Sequence, residues 1–238
     1  MWEGKRVSVV FPAFNEAESI YGAVMDFLST GLIDEVVVVN NNSVDHTVAE
    51  VLRTPARLIH EEEQGYGMAL TRGLKEAYGD LIILSEPDRT FQGKDVMKLL
   101  AYAGDFDMVC GTRTTKELVW EGANMGWFLR IGNLIVAKLL QVLFNGPSLS
   151  DCGCTLRLVH KSAFERFGSH LTVKGSHFLP EMVVLALQKN LRIIEIPVNY
   201  FPRTGISKIT GSLKGALTTG FNMICLILRY RLRFWKNN

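Results

Sequence analysis

Short apolar runs alternate with amphipathic segments through the first half of the chain, and this rhythm constrains the fold more than any other feature. The apolar runs predict strands at residues 7–11, 35–39, 57–60, 81–84 and 108–110. The segments between them predict helices at residues 16–28, 45–53, 66–78 and 95–102. Strands that alternate with helices in this way favour an α/β fold, with a doubly wound, mostly parallel sheet and helices on both of its faces.

Beyond Gly111 the alternation becomes irregular. Residues 127–144 predict a long helix, which the turn Asn145-Gly-Pro147 closes. A short segment at 155–159, a helix at 177–188 and a strand at 192–196 follow. The chain has 238 residues, of which 47% are hydrophobic, and this suits one core better than two. We predict one domain over residues 1–211 and a helical tail at 212–238.

The tail differs in charge from the rest of the chain. No acid follows Glu195, and seven lysines and arginines give residues 196–238 a charge of +7, whereas the preceding part has 19 bases and 24 acids. Polar residues interrupt the apolar run of the tail, so it does not predict a membrane-spanning helix. A helix in a membrane interface and a helix packed on the domain or a second subunit both fit, for the tail and for residues 127–144. Several apolar residues of the tail fall near one helical face: Leu217, Phe221, Ile224, Leu228 and Trp235.

The cysteine and histidine positions argue against several classes of site. Cys152 and Cys154 are one residue apart with no second pair, so the four cysteines form neither a disulfide framework nor a zinc pattern. The five histidines show no ligand spacing. The sequence reaches its first predicted strand at once, and we expect no secretory signal. We therefore expect reduced thiols in a cytoplasmic protein. We expect no nucleic-acid partner, and assembly into a homo-oligomer stays possible.

Two acids, Glu86 and Asp88, stand one residue apart just past the predicted strand at 81–84. Open α/β sheets bind ligands at this edge, outside the carboxyl ends of their strands. Two carboxylates on a tight turn suit a hard divalent cation, which keeps waters and gathers diphosphate oxygens. The pattern indicates a metal–nucleotide site, although Glu86-Pro-Asp88 is also the sequence of an ordinary surface turn.

Further motifs follow in a recognisable order. The first two strands end in Pro12-Ala-Phe-Asn-Glu16 and in Asn40-Asn-Asn-Ser-Val-Asp-His-Thr47. Later come Gly65-Tyr-Gly-Met-Ala69, Asp151-Cys-Gly-Cys-Thr-Leu-Arg157, Glu195-Ile-Pro-Val198 and Arg203-Thr-Gly-Ile-Ser-Lys208. Together with the acid pair, these motifs resemble family 2 glycosyltransferases with the GT-A fold, and the later ones resemble dolichyl-phosphate and polyprenyl-phosphate sugar synthases. The resemblance spans about residues 6–208.

The chain departs from the family pattern in two places. Asn40-Asn-Asn42 stands where the family commonly has acids, and Asn41 aligns with a carboxylate that accepts hydrogen bonds from the nucleobase. An amide oxygen still accepts while its NH₂ donates, so a base contact survives, but guanine and uracil are not separated by this position. The second departure is Glu86, which is one methylene longer than the usual aspartate and can still reach a metal directly or through water.

The resemblance implies an inverting enzyme that moves a sugar from a GDP- or UDP-sugar to a polyprenyl phosphate at the cytoplasmic face of the membrane. Residues 1–111 would form its nucleotide-sugar half, and residues 112–211 its acceptor half. Glu86 and Asp88 would hold Mg²⁺ or Mn²⁺. Two alternatives stay open: transfer to a hydroxyl of a glycan, lipid or small molecule, and a catalytically weak, nucleotide-binding membrane partner. The residues implied to bind the nucleotide sugar are Pro12, Ala13, Phe14, Glu16, Asn41, Asp45, Gly67, Glu86 and Arg113.

Asp151 is the first candidate for an acid on the acceptor side, with Glu181 second. A hydroxyl acceptor must lose a proton, so it needs a positioned carboxylate. A lipid phosphate is already an anion near pH 7, so Asp151 would then only position it. Other functions fit some of these residues: Asp45 also suits a helix cap, Arg113 can bind either phosphate, and the loop that carries Arg203 and Lys208 can be a solvated basic loop. The implied catalytic residues are Asp151, Asp88, Arg203 and Lys208.

Overall fold

The computed structural model describes the backbone of residues 1–205 and 213–236, and the side chains of residues 1–205 and 214–233. The strands within these ranges are β1 (Val7–Ala13), β2 (Glu35–Asn40), β3 (Arg57–His60), β4 (Leu81–Leu84), β5 (Met108–Thr112), β6 (Arg157–His160) and β7 (Ile193–Pro197). The helices are α1 (Ile20–Ser29), α2 (Thr47–Leu52), α3 (Tyr66–Glu76), α4 (Val96–Leu100), α5 (Trp127–Phe144), α6 (Lys161–Phe167), α7 (Phe178–Gln188) and α8 (Leu213–Lys236).

The seven strands form one sheet in the order β3-β2-β1-β4-β6-β5-β7. All neighbours are parallel except β6, which runs antiparallel to both β4 and β5. This confirms the predicted α/β fold with a mostly parallel sheet. Because β6 lies between β4 and β5, the second half of the chain contributes strands to the same sheet as the first half.

The sheet is buried on both faces, because successive side chains of a strand point to opposite sides. In β4, Leu81 and Ile83 pack with α1 and α4, whereas Ile82 and Leu84 pack with α3, α5, α7 and α8. Every residue of β1, β2, β4 and β5 is buried. This double burial explains why these strands are continuous apolar runs rather than alternating ones.

The predicted boundaries hold within two residues for most elements, and the predicted helix at 127–144 coincides with α5. The exception is α1, which begins at Ile20 and not at residue 16. The preceding residues form a loop instead, because Asn15 adopts a positive φ of 55° and the backbone N–H of Glu16 donates to Thr47 Oγ1 at 2.7 Å. The short helix α6 was not predicted.

The tail helix α8 packs against the domain. It buries Met223, Leu226 and Ile227 in the core that contains α5 and α7. Tyr230 of α8 donates a hydrogen bond at 2.7 Å to Glu181, a fully buried carboxylate of α7. The same carboxylate accepts bonds from Thr172 and Val173, so it ties three segments together.

Apolar side chains are also exposed on α5 and α8, so the packing covers only part of these helices. Trp127 is 75% exposed, Ile135 56%, Phe221 66% and Leu232 62%. Among the described helices, α5 alone is long and apolar enough to cross a membrane by length and composition, and only 17% of it is buried.

Candidate active site

A cleft with a volume of about 650 Å³ opens at the carboxyl ends of β1, β2 and β4. This is the edge at which open α/β sheets bind ligands. One part of its wall is polar and comes from the strand ends and the segments that follow them. The other part is apolar and comes from α5 and α8, with Phe128, Ile131, Ile135, Leu217 and Phe221 among its residues.

Glu86 is held in the polar wall by two hydroxyl groups. Tyr66 donates a hydrogen bond to Glu86 Oε1 at 2.6 Å, and Thr155 donates to the same oxygen at 2.7 Å. Burial and, second, the neighbouring carboxylate of Asp88 raise the pKa of Glu86 to about 7. The two carboxylates therefore lie close enough to repel each other in a poorly hydrated place.

Asp88 is buried, and both of its carboxylate oxygens accept hydrogen bonds. Oδ1 accepts from the backbone N–H and the hydroxyl of Thr90, at 2.9 and 2.6 Å. Oδ2 accepts from the guanidinium of Arg203 in a salt bridge. The Thr204 N–H donates to the backbone carbonyl of Asp88 at 2.9 Å, which brings the chain near Arg203 against the turn after β4.

Arg113 and Asp151 form a second ion pair beside the cleft. Arg113 donates from Nε to Asp151 Oδ2 at 2.7 Å and from Nη2 to Oδ1 at 2.9 Å, a bidentate arrangement. The guanidinium also lies over the ring of Tyr200, 5.2 Å from its centroid. Arg113 and Tyr200 line the cleft, whereas Asp151 is 2% exposed and does not.

The structure does not place Asp151 as an acceptor-side acid, because both of its oxygens are bonded to Arg113 and it does not line the cleft. Gly153 N–H adds a further bond to Asp151 at 3.0 Å, and the backbone N–H of Asp151 donates to Glu195 at 2.9 Å. Asp151 positions Arg113. Glu181, the second candidate, is fully buried and accepts the hydrogen bond that joins α8 to α7.

Asn41 lines the cleft, but its amide serves the loop after β3. Its NH₂ donates to the carbonyls of Glu61 and Glu63, each at 2.9 Å, and its oxygen accepts from the Gly65 N–H at 2.8 Å. Asn42 donates to the carbonyl of Glu62 at 2.8 Å. Since a carboxylate cannot donate to a carbonyl, these bonds explain the amides at both positions, and they occupy the Asn41 amide that was expected to contact the base.

Two other expected ligands lie outside the cleft wall. Asp45 accepts hydrogen bonds from Thr47 and from the Ala17 N–H, so it holds the turn before α2 to the segment before α1. Gly67 is buried against residues 173–174, and an added Cβ would lie 2.2 Å from the Val173 carbonyl oxygen. Both contacts are structural, and neither residue lines the cleft.

The cleft is lined by six further residues of the predicted set: Pro12, Ala13, Phe14, Glu16, Glu86 and Asp88. Lys208 lies outside the described residues. Arg157, the last residue of the Asp151–Arg157 motif, is fully buried and donates to the carbonyls of Cys152, Cys154 and Leu179.

The match to a family decides the class of the protein. The family model described as Glycosyl transferase family 2 matches residues 8–168, which include the strand ends that carry Glu16, Glu86 and Asp88. The chain belongs to glycosyl transferase family 2.

Relatives of this glycosyltransferase agree with that assignment. An uncharacterised glycosyltransferase of Mycobacterium bovis is 30% identical over 216 residues, which cover 90% of this chain and 94% of the relative. The low-salt glycan biosynthesis hexosyltransferase Agl6 of Haloferax volcanii is 31% identical over 205 residues, 84% of this chain and 48% of that protein.

Solved structures share the fold of this family 2 glycosyltransferase. Glucosyl-3-phosphoglycerate synthase from Mycobacterium tuberculosis, in complex with Mn²⁺, UDP and glucosyl-3-phosphoglycerate, matches with a TM-score of 0.71 at 19% identity, over 95% of this chain and 80% of that one. Its complex with Mn²⁺, UDP-glucose and phosphoglyceric acid matches with a TM-score of 0.70 at 21% identity, over 96% and 80%. The predictions of a GT-A glycosyltransferase are confirmed, and the predicted divalent cation agrees with the Mn²⁺ in these structures.

The acid pair of this glycosyltransferase fits Mg²⁺ or Mn²⁺. Glu86 and Asp88 supply hard oxygen donors, and their mutual repulsion is what a divalent cation relieves. Among the described residues no group of three or more His, Cys, Asp or Glu side chains can hold a metal. Two protein carboxylates therefore leave the other coordination positions to water and diphosphate oxygens, which is usual for Mg²⁺.

Sequence reasoning missed three residues that shape the site, namely Tyr66, Thr155 and Tyr200. Tyr66 and Thr155 lie inside motifs that carry the family resemblance, so a search of those motifs for hydroxyl groups near an acid would have found them. Tyr200 has no comparable signal, because only the fold brings it under Arg113.

Proposed function

We propose that this enzyme transfers a sugar from a nucleotide sugar to a polyprenyl phosphate at the cytoplasmic face of a membrane. The nucleotide sugar would lie against Pro12, Ala13, Phe14 and Glu16, at the end of β1. Glu86 and Asp88 would hold Mg²⁺ or Mn²⁺. When bound, such a cation neutralises charge on the leaving diphosphate.

The observation that carries the proposal is the composition of the cleft. Polar residues suited to a diphosphate and an apolar wall formed by α5 and α8 belong to one continuous cavity. An acceptor that fills both parts has an anionic end and an apolar chain. A polyprenyl phosphate has this chemistry, and its chain would gain free energy by leaving water for the apolar wall.

The carboxylates of the cleft also favour a phosphate acceptor. Among the described residues that line it, the acids are Glu16, Glu86 and Asp88, and the last two form the proposed cation site. Asp151 is bonded to Arg113 and does not line the cleft. An acceptor that is already an anion near pH 7 needs none.

Two arginines provide the positive charge that this reaction needs. Arg113 is fixed by Asp151 and Tyr200 and faces the cleft, so it suits the phosphate of the acceptor. Arg203 neutralises Asp88 in the structure, and it would turn to the diphosphate once a cation takes its place. A preorganised cation near a leaving group stabilises the charge that grows there in the transition state. The acceptor phosphate oxygen would then bond to the anomeric carbon as the bond to the nucleoside diphosphate breaks.

The exposed apolar side chains of α5 and α8 support a membrane contact. Trp127 and Leu232 are largely exposed and do not line the cleft. Arg229, Arg231 and Arg233 of α8 carry positive charge, which suits anionic head groups. Because α8 also buries core residues, its deletion would open the core, so surface substitutions test this contact better than truncation.

The membrane contact is tested by sedimentation with vesicles that contain anionic lipid. Replacing Trp127 and Leu232 with serine should reduce binding strongly while the protein stays folded. Leu52→Ser is the matched control, because Leu52 is 69% exposed on α2 and lies away from α5 and α8. Equal vesicle binding by the double variant and the control would remove the membrane contact from the proposal.

The acceptor is tested by a donor panel of UDP- and GDP-sugars with Mn²⁺, offered with undecaprenyl phosphate or with undecaprenol. The proposal expects label in the lipid phosphate. Label in the alcohol alone would instead favour transfer to a hydroxyl. Phosphoglyceric acid is the third acceptor to include, because a synthase with this fold was solved in complex with it. Nucleotide binding without transfer to any of the three would favour the catalytically weak binding partner.

A further inference from the structure

Three oxygen atoms form a compact triangle next to the proposed cation site. Tyr66 and Thr155 both donate to Glu86 Oε1, at 2.6 and 2.7 Å, and the two hydroxyl oxygens are 2.7 Å apart. Each hydroxyl has a single proton, so both can donate at once only if Glu86 is the acceptor. The triangle therefore suits an ionised carboxylate that is fixed in one orientation.

The two hydroxyls come from separate parts of the fold. Tyr66 is the first residue of α3, and its ring packs against the core. Thr155 lies just before β6 and is only 4% exposed. Because both are held by their surroundings, Glu86 is braced from two directions.

The bracing also differs between the two oxygens of Glu86. Both described hydrogen bonds go to Oε1, and the described residues give none to Oε2. Oε2 is therefore the oxygen through which Glu86 can meet a cation. Glutamate has one more rotatable bond than the aspartate usual in this family, so it needs more support to present that oxygen reproducibly.

We infer that Tyr66 and Thr155 are positioning residues, which hold the longer Glu86 side chain in the orientation that binds the divalent cation. The inference rests on the proposed function for the cation itself. Partners that orient metal ligands typically change metal affinity by 10- to 100-fold when they are removed. The pair would thus make a glutamate serve where a shorter acid is usual.

The test measures Mn²⁺ affinity of the full chain from the electron paramagnetic resonance signal of free Mn²⁺, alone and with UDP or GDP. Thr155→Val keeps the shape of the side chain but removes its hydroxyl, and it should weaken Mn²⁺ binding by about 10-fold or more. Thr155→Ser restores the hydroxyl and should bind like the wild type. Tyr66→Phe should behave like Thr155→Val.

Tyr230→Phe is the matched control, since it also removes a tyrosine hydroxyl that donates to a glutamate, but away from the cleft. It should lower stability without changing Mn²⁺ affinity. In a Glu86→Asp background, Tyr66→Phe should have little further effect, because the shorter acid no longer needs the brace.

The outcomes separate the inference from the proposed function. Wild-type protein that binds Mn²⁺ under none of the three conditions would overturn both. Wild-type binding that Thr155→Val and Tyr66→Phe leave within twofold would overturn the positioning role alone. Equal losses in Thr155→Val and Thr155→Ser would also overturn it, because the hydroxyl would then not be the cause.

Discussion

Asp151→Asn should show whether this buried acid acts through Arg113 or on the substrate. The change removes one charge of a bidentate ion pair in which the aspartate side chain is 0% exposed and the arginine side chain 14%. Breaking a buried pair on one side costs about 3–5 kcal/mol. The cleft lets water reach part of the guanidinium, so we expect the lower end, about 3 kcal/mol, or a fall in Tm of roughly 6–12 °C.

The catalytic effect should be the same as that of removing Arg113. A charge-assisted hydrogen bond to a phosphate is worth about 1.5–3 kcal/mol, which is roughly 10- to 150-fold in kcat/KM. We therefore expect losses in this range for Arg113→Gln and for Asp151→Asn. The double variant should lose no more than Arg113→Gln, because both changes disable one group.

The assay is transfer to undecaprenyl phosphate at saturating donor, below the Tm of the weakest variant. Arg72→Gln serves as the control, since it breaks an exposed pair with Glu76 that should contribute at most about 1 kcal/mol. An inactive Asp151→Asn beside an Arg113→Gln variant within threefold of the wild type would refute the reasoning. Such a result would return Asp151 to the role of a base.

Three further predictions concern contacts elsewhere. Arg203→Gln should lower transfer by about 10-fold or more. It should nevertheless tighten the binding of Mn²⁺ alone, because the salt bridge no longer occupies Asp88 Oδ2. Weaker Mn²⁺ binding, measured by calorimetry, would contradict this. Tyr230→Phe should cost about 1.5–3 kcal/mol in urea unfolding, since the bond to the Glu181 carboxylate is lost; an unchanged midpoint would argue against that bond. Asn41→Asp should destabilise the protein without improving nucleotide affinity, because a carboxylate would face two carbonyls; calorimetry that finds tighter nucleotide binding would contradict it.

Local sequence patterns predict the elements of this fold well, because a strand that is buried on both faces is a continuous run of apolar residues. The residues of β4 are apolar without interruption, and the predicted bounds coincide with the observed ones. The direction of β6 was not predictable in this way, since a strand has the same composition whether its neighbours are parallel or antiparallel. The start of α1 was also missed, because distant partners such as Thr47 hold the preceding loop.

The location of the site was predictable from the sequence, but the roles of its residues were predictable only in part. Strand ends located Glu86 and Asp88, since topology alone brings those ends to one edge. The sequence could not distinguish Asp151 from a catalytic acid, because its partner Arg113 lies 38 positions earlier and only the fold joins them. The contacts of Asn41 were missed for a similar reason, because the carbonyls that it binds belong to a loop some 20 residues further on.

The dependence of transfer on the acceptor's chain length tests the central claim most directly. If the apolar wall of α5 and α8 holds the lipid chain, kcat/KM should rise steeply from a five-carbon isoprenyl phosphate to the fifteen-carbon farnesyl phosphate. Each buried CH₂ contributes about 0.8 kcal/mol, or roughly fourfold. Replacing Ile135 with asparagine should flatten this rise and leave the KM for the donor unchanged. A kcat/KM that does not vary with chain length in the wild type would contradict the claim.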